Sequence, residues 1–110
     1  METTITLNGK DHKFRISAAT TYVYRQQFGK DLLREFQRIS KNTKKDELPD
    51  SAVEVMSEVA YVAAKQADKT IPDIEEWMDQ FDLMDFYQIV LPEVFKLWQK
   101  TNATTVRPKK

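Results

Sequence analysis

Two glycines in 110 residues leave this chain few places to turn sharply. Each marks a boundary. Gly9 sits in Asn8-Gly9-Lys10-Asp11, between two stretches in which apolar and polar residues alternate. Residues 3–7 put Ile5 and Leu7 on one side, and residues 13–17 put Phe14 and Ile16 on one side. Alternation around strong turn chemistry predicts a β-hairpin over 3–17. With a loop of Asn8 to Asp11, Ile5 faces Phe14 and all four apolar side chains share a face. A hairpin this small is not stable alone and must lie on an apolar layer.

The second glycine, Gly29, stands where a helix C-terminus wants a left-handed residue. Thr20-Thr21 offers an N-cap for a helix over 20–28. Asp31 can cap a second helix over 31–40, with Leu32, Leu33, Phe36 and Ile39 as its apolar stripe. Residues 40–47 are polar and mostly basic, which predicts a mobile loop. Pro49-Asp50-Ser51, with Glu54 completing a capping box, starts a third helix over 50–67. Its apolar positions, from Ala52 through Val55, Val59 and Val62 to Ala67, recur at helical spacing. Val53-Glu54-Val55 would suit a strand, but the length without Gly or Pro favours helix. Thr70-Ile71-Pro72-Asp73 predicts a fourth start, for a helix over 72–81. Asp82 can cap a fifth helix over 83–99, which Pro92 should kink or restart near Leu91. Residues 101–110 read as a flexible basic tail. The expected fold is mainly α: one small domain, 1–100, of about four to five helices behind an N-terminal β-hairpin.

Charge is balanced overall, with 17 basic and 17 acidic residues, but it is not evenly spread. Residues 1–45 hold ten basic and four acidic residues, 46–93 hold two and thirteen, and 94–110 hold five and none. Such a chain can fold basic part on acidic part, or associate head to tail with copies of itself or a charged partner. Exposed charges can also be simple solvated faces.

The same residues exclude several kinds of chemistry. The chain has no Cys and a single His, so neither a catalytic triad nor a typical zinc site can be assembled. His12, beside the turn, reads as an exposed turn residue. Glu75, Glu76 and Asp79 cluster on the fourth helix, where acidic residues complement the helix dipole. No Gly-rich phosphate loop is present, so no cofactor is expected. No apolar run is long enough to span a membrane, and the N-terminus lacks the pattern of a signal peptide. The basic groups at 41–45 and 107–110 are not interleaved with aromatics, which argues against a nucleic-acid reader.

The richest segment is 77–98. Leu83, Phe86, Tyr87, Val90, Val94, Leu97 and Trp98 form one stripe, Met84, Leu91 and Phe95 a second, and Ile89 widens the surface. A surface helix normally needs one stripe. This helix is therefore either central to the core or part of an interface. Trp77, Phe81, Met84, Tyr87, Leu91, Phe95 and Trp98 are the candidate protein-binding residues.

The order of segments carries a resemblance. The hairpin is followed by Tyr24-Arg25-x-x-Phe28-Gly29-Lys30-Asp31-Leu32-Leu33, then by Ala60-Tyr61-Val62-Ala63-Ala64-Lys65-Gln66-Ala67-Asp68. Next come Ile71-Pro72-Asp73-Ile74-Glu75-Glu76-Trp77-Met78-Asp79-Gln80-Phe81 and Leu91-Pro92-Glu93-x-x-x-Leu97-Trp98. Over residues 5–100 this series resembles the tail assembly chaperones of long-tailed phages and prophages of Gram-positive bacteria. The resemblance implies a non-enzymatic protein of the host bacterial cytoplasm. It would bind and solubilise the tape-measure protein, help recruit the tail-tube protein, and self-associate, with no membrane or nucleic-acid partner. The alternative is a structural head–tail or tail-terminator component retained in the particle.

Overall fold

Asn8 and Gly9 both have positive φ, 52° and 77°, and they alone form the turn of the N-terminal hairpin. The computed structural model describes residues 1–42 and 50–102. Strand β1 (Glu2–Leu7) pairs antiparallel with β2 (Lys10–Arg15), with Leu7 opposite Lys10, Ile5 opposite His12 and Thr3 opposite Phe14. This corrects the four-residue loop expected from the sequence. A two-residue turn with both φ positive matches the right-handed strand twist, so Lys10 and Asp11 join the ladder. The register moves by two residues, not one, so every side chain keeps its face. Ile5, Phe14 and Ile16 are buried and Leu7 is half-buried. The same shift moves His12 from the turn to a place opposite Ile5, where it is half-buried rather than exposed.

Helix α1 (Ala18–Phe28) begins two residues before the expected start. Ser17, not Thr20 or Thr21, is its N-cap. Ser17 Oγ accepts from the Ala19 N–H at 3.2 Å, and the Ser17 N–H donates to Thr20 Oγ1 at 2.9 Å. Thr20 is thus the reciprocal partner in a capping box. Its hydroxyl also donates to Gln66 Oε1, tying α1 to the end of α3. Gly29 closes α1 at φ 70°, its N–H donating to Arg25 O at 2.8 Å. Asp31 caps α2 (Leu32–Asn42) through Oδ1, which accepts from the Leu33 and Arg34 N–H groups. The helix passes the expected end at residue 40, and Leu32 and Phe36 are buried while Leu33 is exposed. The rest of the expected 40–47 loop, the side chains of Ile39 and Ser51, and the tail from 103 onward lie outside the described residues.

Helix α3 (Asp50–Ala67) is the centre of the molecule. Every residue from 55 to 64 is buried. The hairpin packs on it through β2, and α1, α2, α4 and α6 pack around it. Small side chains allow this: Ala60, Ala63 and Ala64 let neighbouring backbones approach. Its two buried polar side chains are satisfied. Ser57 Oγ donates to Val53 O at 2.8 Å, and Glu58 is held by Tyr24 and Lys30.

The fourth start signal sits later than expected. Thr70 does not cap a helix. Its N–H and hydroxyl both donate to Asp68 Oδ1. Asp73 is the N-cap of α4 (Ile74–Asp79), accepting from the Glu76 N–H at 3.0 Å, so this helix is shorter than the expected 72–81. Asp82 is the N-cap residue of α5 (Leu83–Asp85), although its side chain makes no capping bond. The chain then makes a π-helical turn, Phe86–Val90, and continues as α6 (Leu91–Asn102). The break expected near Leu91 is therefore present, with α6 restarting at Leu91, and the segment runs to Asn102 rather than 99. The Leu91 N–H donates to Phe86 O, five residues back. A proline ring crowds the carbonyl four residues before it and offers no N–H, and a widened turn absorbs that mismatch.

Candidate protein-binding surface

The seven candidate residues divide into three groups. Trp77, Leu91 and Trp98 are buried, Phe81 and Phe95 are half-buried, and Met84 and Tyr87 are exposed.

The buried ones join helices to one another. Trp77 has four aromatic neighbours: Phe81 at 5.1 Å between ring centroids, Tyr61 at 5.7 Å, Phe86 at 6.0 Å and Phe14 at 6.2 Å, all edge-on. One ring thus fastens α4 to the hairpin, to α3 and to the π-helical turn. Edge-to-face pairs of this kind add about 0.5–1.5 kcal/mol each beyond burial. Tyr61 contributes again through its hydroxyl, which donates to Pro72 O at 2.8 Å. At the other end, Trp98 stacks on Phe36 at 4.6 Å and 18°, and Phe95 lies 6.2 Å from the same ring. These contacts hold α6 on α2.

What is left outside lies in the first turns of the last helical segment. Leu83 is 67% exposed, Met84 54%, and Tyr87 43%. They stand at i, i+1 and i+4, which places them on one helix face. Leu83 belongs with this surface, and its place in the same apolar stripe as Tyr87 was the signal for it. Ile89 is also exposed, on a different face of the π-helical turn, and Tyr22 and Leu33 are exposed on α1 and α2. The opposite side, Phe86 and Val90, is buried, so the exposed face is carried on a fixed element.

Open clefts flank the hairpin, and two of them meet at His12. One, of about 560 Å³, lies between β2, the end of α3 and α4, with Lys13, Asp68, Glu76 and Trp77 in its wall. The other, of about 210 Å³, lies between the hairpin turn and the start of α5, lined by Leu7, His12, Phe81, Asp82 and Asp85. His12 lies 4.7 Å from Phe81 with the rings tilted by 48°, and it lines both clefts. Burial, then the Lys10 charge, lower its pKa from the usual value, against a weaker opposing pull from Asp11. Asp68 is held below the usual carboxylate range by the two bonds from Thr70. Among the described residues, no group of three or more His, Asp or Glu side chains is placed to hold a metal ion. No helix among them is long and apolar enough to cross a membrane.

Sequence reasoning missed a buried charged cluster. Tyr24 OH donates to Glu58 Oε1 at 2.6 Å, and Lys30 Nζ lies 3.1 Å from the same oxygen. Burial, reinforced by Glu58, raises the pKa of the Tyr24 hydroxyl far above its usual value. The cluster joins α1 to α3 and uses its groups on one another. The chain matches no protein-family model, no curated protein and no solved structure.

Proposed function

We propose that this protein is a tail assembly chaperone of a long-tailed phage or prophage. It acts without catalysis, by reversible binding to exposed helices of the tape-measure protein. It keeps that long client soluble, helps recruit tail-tube subunits, self-associates along the client, and works in the host bacterial cytoplasm. The observation that carries this reading is the exposed face of Leu83, Met84 and Tyr87, backed by buried Phe86 and Val90. A client helix needs an apolar strip held rigid by the binder's own core. The order of the sequence segments, from the hairpin to Leu91-Pro92-Glu93, supports the same family.

The test is co-expression with the tape-measure protein of the same gene cluster, followed by affinity capture and light scattering. A soluble complex with many copies of this chain per client is the expected result. An insoluble client with this chain eluting alone overturns the reading. Stoichiometric amounts of the chain in mature particles point instead to a structural head–tail or tail-terminator component.

A further inference from the structure

The surface around Leu83, Met84 and Tyr87 has a second property, its charge. Between Thr70 and Phe95 there are seven acidic residues and no Lys or Arg. Asp79, Asp82 and Asp85 lie within one turn of the exposed apolar face in sequence. None of them belongs to the ion pairs formed among the described residues, which involve Glu2, Glu35, Glu58 and Glu93. Asp82 stands at an N-cap position and its carboxylate makes no capping bond. The nearest cation across the cleft, Lys10, donates to Gln80 Oε1 at 2.9 Å. Next to the apolar face in sequence, three carboxylates therefore have no ion-pair partner among the described residues.

We infer that this face docks a cationic amphipathic helix. The inference deepens the chaperone reading, and rests on it for the client being a helix. The apolar residues at i, i+1 and i+4 take the partner's apolar stripe, and the carboxylates take Lys or Arg beside that stripe. Charge complementarity of this sort speeds encounter and selects against wrong partners more than it deepens affinity. It also sets aside other occupants. An anionic helix, a nucleic-acid backbone and an anionic lipid surface all meet repulsion here.

The test uses the full chain and two labelled synthetic peptides, each of about five helical turns, roughly 18 residues. Both carry the same leucine stripe. One has lysine at its flanking positions and the other glutamate. Fluorescence anisotropy reads binding. The lysine peptide should bind at least about tenfold tighter than the glutamate peptide, a difference of about 1.4 kcal/mol. Raising the salt should weaken it. The double variant D79K/D82K should lose about tenfold, and Tyr87→Ser should weaken binding independently of salt. Glu2→Lys, the same kind of charge reversal on the hairpin, should leave the affinity within about twofold. Circular dichroism checks that each variant is folded. Equal binding of both peptides, an indifferent D79K/D82K, or an equal loss in Glu2→Lys overturns the inference.

The same variants separate this inference from the functional reading. If the tape-measure protein is captured equally well by D79K/D82K, the charged docking surface is wrong and the chaperone stands. If the lysine peptide binds at this face and the tape-measure protein is not captured, the surface stands and the chaperone reading falls.

Discussion

Helix α3 and the last helical segment look alike in the sequence, each a long apolar pattern, yet they do opposite jobs. Residues 55–64 of α3 are buried without exception. Over 83–100 the burial alternates, with Phe86, Val90, Leu91, Val94, Leu97 and Trp98 inside and Leu83, Met84, Tyr87 and Ile89 outside. The segment with the largest side chains is not the centre. The centre is the helix with small ones, because Ala and Val let other elements approach on every side. A helix that is surrounded must be narrow, and one that reaches into the core from outside can be wide. Large aromatics then serve as bolts, as Trp77 and Trp98 do, and any in excess are left facing outward.

The largest effect should come from charging the central helix. Val59→Asp places a carboxylate at a fully buried position. The expected cost is about 4 kcal/mol or more, a large part of the 5–15 kcal/mol that holds a typical domain together. Thermal unfolding followed by circular dichroism should show the cooperative transition lost or sharply lowered. A near-normal transition would mean that α3 is not central, and the comparison would fail at its root.

Next is the comparison between the two bolts. Trp77→Ala removes a ring with four aromatic neighbours and should cost about 3–5 kcal/mol. Trp98→Ala, whose ring stacks chiefly on Phe36, should cost less, toward about 3 kcal/mol. Urea titration of both variants gives the order. The reverse order would place the structural weight of the molecule on α6 rather than at the meeting of α4, the hairpin and α3.

A smaller effect follows from the cluster that ties α1 to α3. The Tyr24 hydroxyl has its pKa raised by burial and by Glu58. Between its ordinary value near 10 and its raised one, the folded chain holds a proton that the unfolded chain releases. Stability from this group is therefore complete below pH 10 and falls as the pH rises above it. Tyr24→Phe should flatten that alkaline loss. At neutral pH it should cost about 1.5–3 kcal/mol, the worth of one hydrogen bond to a charged acceptor, toward the lower end because Lys30 still holds Glu58. Denaturation midpoints of both proteins at pH 7 and above pH 10 check this. An unchanged slope would mean that some other group carries the alkaline dependence.

These comparisons also show what could be read in advance. The Gly29 C-cap, the Asp31 N-cap and the shared apolar face of the hairpin follow from local chemistry, and all are present. The hairpin register did not follow, because Asn8-Gly9 and Asn8 to Asp11 are both plausible turns. Choosing between them depends on strand twist and on His12 finding Phe81. Capping was hard to place wherever two candidates stood side by side. Ser17 and Thr20, or Thr70 and Asp73, differ by three residues, and packing decides which is outermost. Glu58 was unreadable for another reason. Its partners, Tyr24 and Lys30, lie 34 and 28 positions away, so nothing local distinguishes it from a solvated glutamate. For the surface, the sequence supplied an apolar segment. Only the fold could sort its residues into Trp77, Leu91 and Trp98 within and Met84 and Tyr87 without.

The smallest effect on stability should come from that outer face, and it sharpens the comparison most. Replacing Leu83, Met84 and Tyr87 together by serine removes mainly exposed apolar surface, together with the ring contact of Tyr87 on Phe86. The expected change in stability is within about 0.5 kcal/mol per position. Capture of the tape-measure protein should nevertheless be lost, because the strip that receives a client helix is gone. A triple variant that unfolds would show these side chains to be part of the core. A triple variant that folds and still captures its client would move the binding surface elsewhere, with Leu33 on α2 and Tyr22 on α1 the next exposed apolar residues to replace. A folded variant that no longer captures the client would separate the two helices by function: α3 for cohesion, the last segment for contact.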